Sequence, residues 1–337
     1  MTKNNVGKKL ITLTKTNVKK FLGHICYSYA GYKVFDFSKR LNGYKKERNS
    51  IYQKIGYYPD LKNPKSFNEK VLWKKIYDRN PLLPVISDKY KVREYIKGVI
   101  GEKEAEKLLV PLLYVTDKPE NIPFDTFPEE YVIKPNHASG KIIFVEKIEK
   151  QKKYTIIERQ KTTILSDCKA SREQIINVCN KWLSTPYGFC NHEWAYQKIK
   201  RKIIIEKLLL DNSQKIPVDF KFEVFHGKCH FIQVWYDRFV RINRAWYTPD
   251  WKYINIQGST SQSKYKKKPD KLESMIKLAE LLGKPFDFVR VDLYLVDNRI
   301  YFGELTSYPK SGRISFNPAS FDFELGSKWK VVPKYWK

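Results

Sequence analysis

Apolar residues recur along this chain with two periods, and the changes of period mark out its elements. Helical spacing runs through Phe67–Tyr77, where Asn63-Pro-Lys-Ser66 followed by Glu69 supplies a plausible cap. Ser87-Asp88 can start a second helix running to about Lys97, and residues 172–183 and 271–282 read as two more. Strand signals fall at 108–116, at 131–134 and 142–146 around Pro135-Asn-His-Ala-Ser-Gly-Lys141, and at Ile203-Ile-Ile-Glu206. Phe220–His226 and Cys229–Tyr236 alternate about Gly227-Lys228, which is a hairpin signal. Residues 150–170 are polar and are expected to be irregular. Near the N-terminus Ile11, Val18, Leu22, Ile25 and Tyr29 fall near helical spacing, with Lys15, Lys19 and Lys20 elsewhere on the wheel. Such a basic amphipathic arm suits an anionic membrane surface, or an ordinary surface helix packed on the body.

The most informative pattern is a terminal hairpin, Phe286–Val296 and Ile300–Thr306, joined by a turn at Asp297-Asn298-Arg299. Folded about Asn298, it sets Asp292 opposite Glu304 and Arg290 opposite Thr306. Opposed Cβ atoms on neighbouring strands lie roughly 4.5–5.5 Å apart. Two facing acids repel at that range unless something positive sits between them. Mg²⁺ takes oxygen ligands, usually one or two carboxylates plus substrate phosphates. The hairpin therefore reads as a magnesium–nucleotide site, or else as the solvent face of an ordinary hairpin.

Composition narrows the partners. The 337 residues are 42% hydrophobic and 15% aromatic, enough for about two domains with a large core. Lys and Arg number 64 against 36 Asp and Glu, a net charge of +28, so anionic partners are expected. The cysteines Cys26, Cys168, Cys179, Cys190 and Cys229 show no Cys-x-x-Cys or zinc-like spacing, which fits reduced thiols in the cytosol. No secretory signal is evident, and no window approaches 18 apolar residues. Basic residues are spread along the chain and no nucleic-acid-binding motif occurs, so no nucleic-acid partner is expected.

Other segments could hold a nucleotide. Lys134 ends a strand ahead of the small-residue loop containing His137, Ser139 and Gly140, where backbone N–H groups can approach phosphates. His137 also reads as a polar loop residue only. Lys89 sits at a helix start in Asp88-Lys-Tyr-Lys-Val-Arg93. Asp219, Lys221 and Glu223 share one strand face, and Arg238 follows the next strand.

Taken in order, Lys89, Lys134, Glu206 in Ile-Ile-Glu-Lys-Leu-Leu, Asp219-x-Lys221, Arg290-x-Asp292 and Gly-Glu304-Leu-Thr306 resemble the ATP-grasp enzymes. Tyr57-Tyr-Pro59, Phe67-Asn-Glu-Lys70, Asp88-Lys-Tyr90, Asn136-His-Ala-Ser-Gly140 and Gly303-Glu-Leu-Thr306, with Pro309 and Ser311-Gly312, are similar to the TupA-like branch, linked to teichuronopeptide and other surface polysaccharides. The resemblance runs from about residue 55 to 326. It implies an α+β fold of ATP-grasp architecture, with two α+β subdomains clasping ATP behind a basic helical N-terminal region. The expected division is an arm at 1–50, a helical region at 51–120, a lid subdomain at 121–210 and a C-terminal metal-bearing subdomain at 211–337. By similarity Lys89 and Lys134 would hold phosphates, with His137, Ser139 and Gly140 in the lid loop. Glu206 to Leu209 would be the adenine hinge, read through backbone groups of Lys207 and Leu209. Asp211 is a candidate for the ribose, and Asp219 also falls within the nucleotide set. Lys221, Arg238 and Arg290 would steady the transferred phosphoryl group. Asp292, Glu304 and Thr306 would bind Mg²⁺, Thr306 standing where many ATP-grasp enzymes carry Asn.

The family reaction implied is ATP-dependent joining of a carboxylate to an amine through an acyl phosphate. The partners expected are a carboxylated sugar or glycan and an amine or amino acid, in the cytoplasm or peripherally at the inner face of the plasma membrane. The runner-up is a glycosyltransferase of capsule or O-antigen assembly using a nucleotide-sugar donor. It lacks an Asp-x-Asp motif, the nearest match being Asp322-Phe-Glu324. The aromatic stretch from Trp235 to Trp251 offers Tyr236, Trp246, Tyr247 and Trp251 as sugar-stacking rings or as core.

Overall fold

The computed structural model describes residues 37–337 apart from 149–150, 159–160, 167, 214, 237–242, 257–266, 333–334 and 336–337. Residues 1–36 of the basic arm, Cys26 among them, and Arg238 therefore lie outside the described residues. Helices run over α1 (Lys45–Ile55), α2 (Phe67–Tyr77), α3 (Leu82–Ser87), α4 (Val92–Ile100), α5 (Glu102–Leu108), α6 (Lys169–Ser184), α7 (Trp194–Gln197), α8 (Leu272–Gly283) and α9 (Ser320–Ser327). The α2 prediction is met at both ends. Ser66 accepts from the Glu69 N–H while the Glu69 side chain accepts from the Ser66 N–H, a complete capping box.

The strands form two antiparallel sheets. The first holds β1 (Leu112–Thr116), β6 (Ile203–Lys207), β2 (Tyr131–Pro135), β3 (Lys141–Ile148), β4 (Gln151–Glu158) and β5 (Lys161–Ser166), in that spatial order. The second holds β10 (Tyr253–Ile254), β9 (Asn243–Tyr247), β8 (Lys228–Tyr236), β7 (Asp219–Phe225), β11 (Phe288–Val296) and β12 (Arg299–Thr306). One face of the first sheet buries Tyr131, Ile133, Ile143, Val145, Tyr154 and Ile205 against Ile175, Cys179 and Trp182 of α6. The second sheet turns Phe220, Phe222, Val224, Val289, Val291 and Leu293 into the larger core, with Met275, Ala279 and Leu282 of α8 and Trp329. Tyr44 and Ile51 pack on Leu72 and Ile76, so α1 is seated on α2. Among the described residues, Cys168, Cys179, Cys190 and Cys229 form no disulfide. Among the described residues no helix is long and apolar enough to cross a membrane.

Three sequence expectations give way. Residues 150–170 are not irregular, because Tyr154 and Ile156 alternate with polar residues and bury one face of β4. Ser87 ends a helix instead of starting one. The Asp88 carboxylate accepts from the Tyr90 and Lys91 N–H groups, and the next helix begins only at Val92. The first hairpin turn falls one residue earlier than expected, and the terminal turn has two residues instead of three. His226-Gly227 and Asp297-Asn298 each carry two positive φ angles, as a two-residue turn between right-twisted strands requires.

That shorter turn should have shifted the terminal hairpin by one residue. It pairs Val296 with Arg299 and Leu293 with Phe302. A bulge between Asp292 and Leu293 then passes over Gly303, and beyond it Asp292 lies opposite Glu304 and Arg290 opposite Thr306. The predicted pairing holds because two changes cancel. A Cβ on Gly303 would meet the Asp292 carbonyl oxygen and the Tyr294 ring, both at 3.0 Å. We expect Gly303→Ala to cost about 1–3 kcal/mol, the usual range for overpacking. Urea unfolding should show a lower midpoint at unchanged slope, and wild-type stability would mean that the bulge tolerates a side chain.

Candidate active site

The first sheet presents its other face to a cleft. Val132, Phe144 and Leu208 form a small apolar patch there, with Ile142, Ile157 and Leu210 at its edge. Alternation places Lys134 and Glu206 beside it. Lys134 Nζ lies 2.5 Å from Glu206 Oε2, and Arg93 Nη1 lies 3.3 Å from Glu206 Oε1. A cleft of about 60 Å³ lies between Lys89, Val92, Arg93, Leu109, Val110, Lys134 and Glu206 on one side and Tyr294, Phe302 and Gly303 on the other. Sheet one, α4 and the terminal hairpin thus share one cavity of mixed polar and apolar lining.

Lys89 reaches this cavity through a clamp built on Asn136. That side chain is fully buried; its Nδ2 donates to Asp88 Oδ1 (2.8 Å) and Lys200 O (3.0 Å), and its Oδ1 accepts from Lys202 N (2.8 Å). The Asn136 carbonyl accepts from the Lys89 N–H, and Lys89 Nζ donates to the Ala138 carbonyl at 2.7 Å. One buried amide therefore ties the Asp88-Lys89 turn to the small-residue loop. Sequence reading placed Asn136 within a motif but gave it no role, since its partners lie 48 and 64 residues away. Burial, with help from Lys134, lowers the Lys89 pKa against the pull of Glu304 and Glu206.

The polar face of the second sheet carries the charged cluster. Arg290 Nε donates to Asp292 Oδ1 (2.6 Å) and Nη2 to Asp292 Oδ2 (2.7 Å), a bidentate pair. The same Nη2 donates to Glu304 Oε1 (3.1 Å) and Thr306 Oγ (3.0 Å). Thr306 Oγ in turn donates to Glu304 Oε1 at 2.9 Å. Lys221, which faces Asp292 in the register, bonds the Asp292 carboxylate and lies 2.6 Å from Asp219 Oδ2. Gln233 donates to Glu223. Asp219, Lys221, Glu223 and Asp292 are all buried, whereas the Glu304 side chain is 39% exposed. The positive group expected between the two facing acids is thus supplied by the protein as the Arg290 guanidinium.

Electrostatics follow from that packing. Burial alone would raise the Glu304 pKa, but Arg290, Lys89 and Lys221 outweigh it and bring it down to about 2. Burial disfavours the Arg290 cation, yet Asp292, Glu304 and Glu223 hold its pKa above the ordinary value. Burial pushes the Asp292 carboxyl up against Arg290 and Lys221. Glu223 is pushed up to about 7 by burial, which Arg290 only partly offsets, and its Oε2 is buried without a hydrogen-bond partner. Among the described residues no group of three or more His, Cys, Asp or Glu forms a closed metal cage. Two opposed carboxylates with a hydroxyl, one carboxylate open to the cleft, still fit an Mg²⁺ ion that keeps phosphates as its other ligands.

The structure therefore brings Lys89, Lys134 and Glu206 into one cavity, and Asp219, Lys221, Arg290, Asp292, Glu304 and Thr306 into the adjoining cluster. Other predicted residues sit differently. His137 is buried; burial, with Arg201, Lys141 and Lys89 nearby, lowers its pKa to about 4, so it adds no charge at neutral pH. Ser139 and Gly140 are exposed on the loop, with Ser139 Oγ 2.8 Å from the Tyr187 hydroxyl. The Lys207 N–H is donated to the Pro111 carbonyl at 3.0 Å. Leu209 is half-buried next to the apolar patch. Asp211 Oδ1 accepts from Ser213 N (2.8 Å) and Lys215 N (2.9 Å), closing its own turn. Trp246 and Tyr247 are core residues, and Tyr247 stacks on Trp251 at 4.2 Å, so these rings are spent on packing. Asp322, from the Asp-Phe-Glu segment, is buried and accepts from the Tyr57 hydroxyl (2.6 Å) and Asn68 Nδ2 (2.6 Å), a structural knot.

The family profile described as TupA-like ATPgrasp matches residues 69–330. No curated protein gives a significant match. Among solved structures, D-alanine–D-alanine ligase from Bacillus anthracis complexed with ATP aligns at 15% identity and TM-score 0.39, over 73% of this chain and 65% of its own. The D-alanine–D-alanine ligase from Helicobacter pylori aligns at 11% identity and TM-score 0.38, over 79% and 69%. L-Amino acid ligase from Bacillus licheniformis aligns at 13% and 0.34, over 67% and 44%. The match thus spans just under two thirds of the first of these proteins and less than half of the last.

Glu223 gives a pH test of the cluster. Its folded-state pKa of about 7 lies above the ordinary 4.5, so its contribution is full below pH 4.5 and is lost as pH rises through 7. Glu223→Gln should match wild-type stability near pH 4.5 and exceed it by about 3 kcal/mol above pH 7. Chemical denaturation across that range would show the gap widening, and a gap independent of pH would mean that Glu223 ionises freely.

Proposed function

Because the chain belongs to the TupA-like ATP-grasp family, we propose that it is an ATP-dependent carboxylate–amine ligase. The observation that carries this reading is the cleft that sets Lys89, Lys134 and Glu206 against the terminal hairpin, where Arg290, Asp292, Glu304 and Thr306 are joined by hydrogen bonds. ATP would lie between the two sheets. Its base would rest on the patch of Val132, Phe144 and Leu208, and its phosphates would meet Lys89 and Lys134. Asp292 and Glu304, with Thr306 beside them, would hold Mg²⁺, which when bound neutralises phosphate charge. Arg290 and Lys221 would steady the transferred phosphoryl group, and Arg238, in a segment outside the described residues, is assigned the same role from its motif.

The reaction needs little covalent work from the protein. A carboxylate oxygen of the substrate attacks the γ-phosphorus, the bond to the β–γ bridging oxygen breaks, and ADP leaves. An amine nitrogen then attacks the acyl carbon of the acyl phosphate. Inorganic phosphate departs, the nitrogen gives up a proton to solvent or phosphate, and an amide remains. The loop from Asn136 to Gly140 would cover the intermediate and keep water from it. We assign the carboxylate to a uronic-acid-type sugar of a surface polysaccharide, such as a capsule or O-antigen, and the amine to an amino acid or another amine. The work would be done in the cytoplasm, with the basic arm resting on the anionic inner face of the plasma membrane. The glycosyltransferase alternative loses its nearest acidic motif, since Asp322 is committed to Tyr57 and Asn68.

With ¹⁸O in the substrate carboxylate, label should pass into the released phosphate, and its retention in the product alone would defeat the acyl-phosphate route. In thermal melts, ATP with Mg²⁺ should raise the melting temperature while UDP-glucose should not. Lys134→Met should weaken ATP binding about tenfold or more, as expected for loss of a charge-assisted bond. A shift with the nucleotide sugar in place of ATP would favour the glycosyltransferase. Removing residues 1–36, which leaves Tyr44 and Ile51 in place, should abolish sedimentation with phosphatidylserine vesicles; undiminished binding would rule the arm out.

A further inference from the structure

The loop from Asn136 to Gly140 touches one element that has no part in the reading above. Ser139 Oγ lies 2.8 Å from the hydroxyl of Tyr187, 48 residues further along the chain. Tyr187 belongs to the segment 185–193, which joins α6 to α7. Its ring meets Tyr196 edge-on with centroids 5.1 Å apart, and Tyr196 packs on Tyr308 at 6.3 Å. Tyr308 stands two residues beyond Thr306, the last residue of β12. Three rings therefore lead from the loop of the first sheet to the strand of the second that carries Glu304. The Glu304 carboxylate acts electrostatically on both Tyr187 and Tyr196.

The two sides of this contact are built differently. The segment that presents Tyr187 is fastened down. Gly188 has a φ of 86°, and a Cβ there would lie 2.6 Å from the Glu193 carbonyl oxygen and 2.9 Å from Tyr196 Cβ, so a side chain has no room. The Gly188 carbonyl accepts from the Glu193 N–H (2.8 Å) and from Gln197 Nε2 (3.2 Å). His192 Nε2 lies 3.3 Å from Glu47 Oε1 on α1, and Glu193 is buried beside Lys75, Ser311 and Arg313. The loop opposite is held firmly only in its first half, where Asn136 bonds Asp88 and the Ala138 carbonyl accepts from Lys89 Nζ. Its tip, Ser139 and Gly140, is exposed, and a Cβ on Gly140 would meet nothing within 4 Å. Burial, with Glu193 and Glu304 nearby, raises the Tyr187 pKa, so its hydroxyl keeps a proton to donate to Ser139 Oγ.

We propose that Tyr187 is a positioning residue of the enzyme: its hydroxyl latches the tip of the Asn136–Gly140 loop through Ser139, and this bond sets how long a nucleotide stays enclosed in the cleft. The proposal rests on the ligase reading. Asn136 and Lys89 hold the start of the loop from the cleft side, and Tyr187 holds its tip from a rigid support. Both hydroxyls are neutral and Ser139 is open to water, so the bond is weak enough to break for release and to form again in the next cycle.

Stopped-flow release of N-methylanthraniloyl-ADP with Mg²⁺ from the full chain reads the latch without any acceptor substrate. Tyr187→Phe keeps the ring against Tyr196 and removes only the hydroxyl, and Ser139→Ala removes the other half of the bond. Each should speed release about two- to tenfold, the range of a neutral hydrogen bond. The double variant should release no faster than either single one, because the two hydroxyls act through one contact. Wild-type release from both single variants overturns the latch, and so does a double variant whose effect is the product of the two. Thermal melts report whether each variant is folded; Ser139→Ala, on an exposed loop tip, carries the test alone if Tyr187→Phe is not. If the wild type fails to bind the fluorescent ADP, the ligase assignment itself falls; if it binds and the single variants release it at the wild-type rate, only the latch falls.

Discussion

One guanidinium sits between two carboxylates of adjacent strands, and the rest of the site is arranged around it. Arg290 bonds Asp292 on its own strand and Glu304 on the next, while Lys221 closes the far side of Asp292 from β7. Buried charges are stable only when paired and hydrogen-bonded, because removing one partner strands the other in a low dielectric at a cost of about 3–5 kcal/mol. Three neighbouring strands must therefore keep their register together. The bulge at Gly303 is part of that constraint, since without the extra residue the two-residue turn at Asp297-Asn298 would set Asp292 against Gly303.

The other half of the site is attached to this cluster across the cleft. Asn136 fastens Lys89 to the loop after β2, and the same sheet carries Lys134 and Glu206 on its cleft face. Lys89 and Glu304 influence each other's ionisation from opposite walls. A polyanion entering the cleft meets cations already in position, and their mutual repulsion in its absence is partly relieved by Glu206 and Glu304. The protein's large positive charge acts in the same sense at longer range, drawing anions toward the cleft.

The polar face of sheet two changes character along its strands. Near β12 it is a lattice of paired acids and bases. Toward β8 and β9 it becomes an indole, that of Trp235, surrounded by cations. These are neighbouring parts of one surface, joined through Lys221.

Much of this was legible in the sequence, for reasons that are local. Ser66 and Glu69 mark a helix start because the capping box involves only residues three apart. The facing of Asp292 and Glu304 matches the sequence reading because the shorter turn and the bulge at Gly303 cancel. The family resemblance follows from Lys89, Lys134, Glu206, Arg290, Asp292 and Glu304 standing in order. What the sequence could not decide depends on partners distant along the chain. Nothing local says that Arg290 bridges to Glu304 and Thr306, or that Pro111 takes the Lys207 N–H. Asp322 looks like part of a metal motif until Tyr57 and Asn68 reach it from more than 250 residues away. Trp235 stands out among eight tryptophans only once β7, β9 and the loop after β12 bring their cations to it. Residue type and spacing determined which groups could do chemistry; packing decided which of them meet, because burial and pairing are properties of the folded neighbourhood and not of the residue.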